Sequence, residues 1–106
     1  MITETTTEYF YAHCRGVRTR ADATLRYDIG EEVYLVAGEW LGMDGARMPA
    51  WTEHPGPTRF ETVEEAREYV KHLPKSMYGF DVIEESIEIM RRMTNVVTIV
   101  TEKVAE

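Results

Sequence analysis

Cys14 stands directly beside His13, and His54 and His72 complete the imidazole and thiol side chains of the chain. Together they could ligate a metal, or a thiol and an imidazole could form a nucleophile pair. Their separations match no recognised zinc-ligand spacing. In "EYFYAHCR", Phe10, Ala12 and Cys14 alternate with Tyr9, Tyr11, His13 and Arg15, which is the period of a strand. Adjacent strand residues point to opposite faces, so His13 and Cys14 cannot meet. Cys14 falls with the small apolar set, and the expected state is a buried, inert thiol. No metal and no cofactor are expected.

Acid–base chemistry fares no better. Glu31–Glu32, Glu64–Glu65 and Glu84–Glu85 are paired carboxylates in charged surroundings. Catalysis needs a pocket that separates two acids in pKa, and nothing marks one. There is no glycine-rich phosphate loop, no serine elbow and no dinucleotide fingerprint, so a non-enzymatic role is expected. Arg15, Arg18, Arg20 and Arg26 lie near Tyr9 and Tyr11, a combination that could hold phosphate while rings stack on bases. Charge opposes it. The net charge is −7, and residues 27–68 alone carry ten acids against three arginines. Such a surface repels a phosphate backbone, so nucleic acid is not an expected partner.

The elements that position these residues read as one domain of 106 residues. The start, "MITETTTEYF", has no basic region ahead of an apolar run, and residues 1–7 read as frayed. No stretch approaches the roughly twenty apolar residues of a membrane span. With a single cysteine, a reducing, cytoplasmic setting is expected. "EYFYAHCR", "ATLRYDI" and "EVYLVAGEWL" read as three strands, with Leu25, Tyr27 and Ile29 on one side of the second. Residues 42–57, punctuated by Gly42, Gly45, Gly56, Pro49, Pro55 and Pro57, read as a long loop.

"TRFETVEEAREYVKHLP" then predicts a helix. Thr62 is the N-cap and Glu65 the return of a capping box. Val63, Ala66, Val70 and Leu73 form one stripe, and Pro74 ends the helix. Residues 82–94 fit either a helix capped by Asp81 or a strand in which Ile87 and Ile89 alternate with Glu88. The strand is favoured over 86–93. "VVTIVTEKV" is a strand by composition. The expected fold is α+β, an antiparallel sheet with one helix on a face, in the order βββαββ.

The succession "F-x-T-x-E-E-A", then "I-x-I-M-R-R-M-T", then a valine/threonine strand resembles a class of short proteins encoded in bacteriophages and prophages. The resemblance covers residues 58–73 and 86–103 and departs in the longer segment 74–85. It implies an α+β fold and an accessory role, in some such proteins the inhibition of a host defence protein. No functional residue is carried over.

The function these readings favour is non-catalytic binding and modulation of another macromolecule, a protein foremost. The candidate surface is Met43, Met48 and Trp51, followed by Met77, Tyr78 and Phe80, because such side chains dominate interfaces. The alternative is a homo-oligomer that sequesters a small nucleotide-like ligand. Arg18 and Arg20 would neutralise its phosphate, and Trp51 or Tyr78 would stack on its base.

Overall fold

The computed structural model describes residues 6–21, 28–53, 56–77, 79–95 and 98–104. In chain order these form β1 (Thr7–Arg18), β2 (Glu32–Leu41), β3 (Arg47–Thr52), α1 (Val63–Lys71), β4 (Ser76–Met77), β5 (Phe80–Thr94) and β6 (Ile99–Lys103). All pairings are antiparallel, in the spatial order β3-β2-β1-β5-β4. β6 shares the outer edge of β5 with β4, at the opposite end of that long strand.

The α+β class is as expected, with a different membership of strands. The strand expected over "ATLRYDI" falls largely on residues 23–27, outside the described residues. Its end, Asp28 and Ile29, enters a turn closed by the Glu31 N–H donating to Asp28 O at 3.2 Å. The third strand before the helix comes instead from the expected loop, where Arg47–Thr52 pairs with β2. Residues 82–94 are strand throughout, as part of β5.

α1 starts as its sequence dictates. The Thr62 hydroxyl accepts from the Glu65 N–H at 3.1 Å. The Glu65 carboxylate returns to the Glu61 N–H at 3.4 Å, one residue before the cap. Ala66 and Leu73 from this segment join Phe10, Ala12, Cys14, Leu35, Ala37, Trp51, Phe60 and Ile89 in a single core on one face of the sheet. Gly16 belongs to that face by necessity. A Cβ there would stand 2.8 Å from Leu35 Cδ1 and 3.0 Å from Asp81 O.

Two irregularities shape the sheet. β1 and β5 hold one register from Thr7↔Thr94 to His13↔Glu88 and another from Arg15↔Ile83 to Arg18↔Phe80. Residues 84–87 bulge opposite Cys14 alone. There the Ser86 hydroxyl accepts from the Arg15 N–H at 2.8 Å and donates to Ile83 O at 2.6 Å, replacing the lost ladder bonds. The second irregularity separates β2 from β1. They pair only between residues 32–36 of β2 and 13–17 of β1. Beyond that point Phe60 bridges Phe10 by two bonds of 2.8 Å, and the Thr58 N–H donates to Ala37 O at 2.9 Å.

The β2–β3 hairpin therefore leaves the sheet and runs on as an arm. The dimensions, 57 × 29 × 27 Å, and the radius of gyration of 16.0 Å reflect an elongated molecule. A compact chain of this length would have a radius near 13 Å.

Trp51 roots the arm, at 2% exposure. We expect Trp51→Ala to cost about 3–5 kcal/mol of folding stability, as large aromatic deletions do. Denaturant titration of the variant measures it, and an unchanged midpoint would remove Trp51 from the core.

Candidate functional site

The arm carries the largest exposed apolar set among the described residues. Trp40 is 59% exposed, and Leu41, Met43 and Met48 are similarly open. Trp40 and Met48 are direct cross-strand partners, so their side chains share one face of the hairpin. Met43 sits in the tip. The Gly42 N–H donates to Ala46 O at 2.8 Å, the Gly45 N–H to Gly42 O at 3.0 Å, and the Ala46 N–H to Asp44 Oδ1 at 3.0 Å. Gly45 has φ +82°, where a side chain would be strained, so the tip is a hydrogen-bonded, glycine-dependent turn. Arg47 and Glu39 are 3.6 Å apart and balance each other's charge. The arm thus presents four exposed apolar side chains.

A second cluster lies on the sheet face away from α1. Tyr9, Tyr11, His13 and Tyr34 form a row with ring centroids 6.3, 6.2 and 5.4 Å apart. His13 Nδ1 is 2.9 Å from the Tyr34 hydroxyl, and Nε2 is 3.4 Å from Glu88 Oε1. Hydroxyl, imidazole and carboxylate in that order resemble a relay for activating a nucleophile. The electrostatics of the hydroxyl run the other way. Burial and the neighbouring Tyr11 push the Tyr34 phenol upward, away from the phenolate. Glu88 is held below the usual carboxylate range by a hydrogen bond from Lys103, and also by His13.

The rings are also occupied as stacking surfaces. The Arg59 guanidinium lies 4.4 Å from the centroid of Tyr9, and that of Arg92 lies 5.4 Å from Tyr11. Arg92 further donates to the Tyr9 hydroxyl at 3.2 Å and to Thr101 Oγ1 at 2.9 Å. This cluster satisfies itself, and a base would have to displace two cations to stack there.

Of the residues proposed from the sequence, Met43 and Met48 lie together on the arm. Trp51 does not: the indole faces the core beneath α1, because its strand position alternates with Met48 and Ala50 on the opposite face. Phe80 packs partly buried against the same core. Met77 lies in β4, and Tyr78 lies outside the described residues, as do Arg26 and His54. Arg18 is buried and paired with Glu53 at 2.7 Å, while Arg20 is exposed. Trp51, at the centre of the core, does not present its ring to a ligand here.

Trp40 and Leu41 were missed by sequence reasoning because "EVYLVAGEWL" reads as a buried central strand. Asp44-Gly45, flanked by alternating residues, was the available signal for a hairpin. No helix among the described residues is long and apolar enough to cross a membrane. No protein-family model matches the chain, and neither does any curated protein or solved structure.

Burial pushes the Cys14 thiol up to about 12. It should resist a thiol reagent under native conditions and react promptly in denaturant; rapid native labelling would overturn the inert assignment. Glu88 gives a pH dependence. Its folded pKa is depressed, so its contribution is present above the unfolded value near 4.3 and is lost as pH falls through the folded pKa. Glu88→Gln should lower stability at pH 7 by roughly 0.2–1 kcal/mol, the worth of an exposed pair. That difference should shrink as pH falls below the unfolded value and vanish below the folded pKa. Denaturant midpoints across this range test it, and a difference independent of pH would refute the ion-pair account.

Proposed function

We propose that this protein is a non-catalytic interaction module that captures another protein through the β2–β3 arm. The observation that carries the reading is the joint exposure of Trp40, Leu41, Met43 and Met48 on one hairpin. Exposed apolar patches of several hundred Å² on a soluble chain mark interaction surfaces. Tryptophan and methionine are the residue types enriched at interface centres.

The arm stands in the acidic middle of the chain, where residues 27–68 carry a net −7. The partner that fits is a protein with an apolar groove rimmed by basic residues, since complementary charge guides encounter and fixes register. The resemblance to phage-encoded accessory proteins adds a consequence: capture would inhibit the captured protein. Backbone pairing plays no part in this reading, because β3 is an edge strand with Pro49 at its middle.

Trp40→Ser tests the proposal. Removal of an exposed side chain should leave folding stability within about 0.5 kcal/mol. Affinity for the captured protein, measured by calorimetry, should fall at least about tenfold, or ~1.4 kcal/mol. Equal capture by wild type and variant would refute the arm as the working surface. So would release of an ultraviolet-absorbing small molecule on denaturation with no protein captured.

A further inference from the structure

The two outer edges of the sheet are built differently. In an antiparallel ladder, alternate residues turn their N–H and C=O groups to the partner strand and the others turn theirs away. The Gly42 N–H to Ala46 O bond sets this alternation for β3. Met48, Ala50 and Thr52 thereby face β2, while Arg47, Pro49 and Trp51 present their backbone outward. Pro49 has no N–H to present. That edge is blocked at its centre.

β6 has no such guard. The Val104 N–H donates to Ile89 O at 2.8 Å, so Val100 and Glu102 face β5 with it. Ile99, Thr101 and Lys103 turn their donors and acceptors outward. All residues of β6 are exposed, with Ile99 at 70% and Val100 at 45%. No described strand lies beyond it. Thr98, Ile99, Val100 and Thr101 are all β-branched, the composition that best fits an extended pairing. Lys103, which could guard the edge with its charge, has its ammonium 3.3 Å from Glu88 on the adjacent strand.

We propose that β6 pairs antiparallel with β6 of a second copy of this chain, across a two-fold axis at Thr101, fusing two sheets into one. The sequence of β6 reads compatibly against itself. Thr101 meets Thr101 of the partner subunit, Ile99 meets the partner's Lys103, and Val100 meets the partner's Glu102. No like charges stand opposite each other, and a threonine pair is a favourable cross-strand contact. The outward backbone groups of Ile99, Thr101 and Lys103 all find partners in this register. A five-residue pairing is a small interface, below the roughly 1,200 Å² of stable complexes, so the dimer is weak and concentration-dependent. The net −7 on each copy opposes it, and added salt strengthens it by screening. The arm lies at the far edge, so one dimer carries two free arms. The inference does not depend on what the arm binds.

Sedimentation from low micromolar to millimolar protein, with amide exchange at both ends, tests the pairing. Wild type should shift towards dimer, more at higher salt, while exchange at Ile99, Thr101 and Lys103 slows. Thr101→Pro removes an outward donor and spares the β5–β6 ladder, so the dimer fraction should fall at least tenfold. Thr101→Ala loses the same hydroxyl contact to Arg92, keeps the outward N–H, and should still dimerise. A monomer at every concentration would overturn the proposal, as would a dimer whose three outward amides exchange unchanged. A dimer abolished by Trp40→Ser and indifferent to Thr101→Pro would assign association to the arm instead and equally overturn it. Should Thr101→Pro unfold, the exchange of the wild-type amides decides alone.

Discussion

Two hydrogen bonds between Phe10 and Phe60, each 2.8 Å, determine where the sheet ends and the arm begins. They occupy the edge of β1 that β2 would otherwise continue along, so β2 is released beyond Val36. The orphaned inner edge of β2 is then satisfied from the same segment, where the Thr58 N–H donates to Ala37 O. On the β3 side of the next residue, the Tyr69 hydroxyl of α1 donates to Gly38 O at 2.6 Å. A buried carbonyl left unpaired there would cost about as much as a lost hydrogen bond. Phe60 also packs against Tyr69, with centroids 5.0 Å apart, and delivers the chain to the cap at Thr62. One bridge therefore sets the position of the helix, the root of the arm and the boundary of the core.

Local signals were legible in the sequence and long-range ones were not. Thr62, Ala66 and Leu73 specify α1 through capping and one stripe, and the structure follows them. Cys14 was legible because alternation over Phe10, Ala12 and Cys14 is a property of the strand itself. β3 was hidden by Pro49, which argues against a central strand and is compatible with an edge. Trp51 and Met48 belong to one strand and opposite faces, a distinction that exists only once β3 is paired in register with β2. The arm as a free element depends on the Phe10–Phe60 bridge, a contact between residues fifty apart that no local pattern announces. The length of β5 depends similarly on the Ser86 bulge, which lets one strand carry two registers against β1.

The aromatic face shows how residue types alone can mislead. Tyrosines beside arginines on a sheet suggest a platform for bases. Here the arginines come from elsewhere, Arg59 ahead of the Phe60 bridge and Arg92 from β5, and they cap the rings themselves. The neighbouring His13 joins Tyr34 to Glu88, and Glu88 is shared with Lys103. Each polar group there has a partner within the fold. The cluster joins β1, β2, β5 and β6 across the face that α1 does not cover.

The arm differs in having no such internal partners for its apolar side chains. Tryptophan, leucine and two methionines beside an edge strand are an association hazard for any chain that does not use them. The molecule limits the hazard in two ways that leave the side chains in place. Pro49 removes the backbone donor that would recruit a strand, and the acidic charge of residues 27–68 disfavours indiscriminate contact. Replacing Trp40 or Met43 by a polar residue would remove the hazard at little cost to folding, since neither is in the core. Retaining them while Pro49 interrupts the outward backbone favours contact through side chains. Under the proposed capture role, a surface built this way would discriminate by shape and charge.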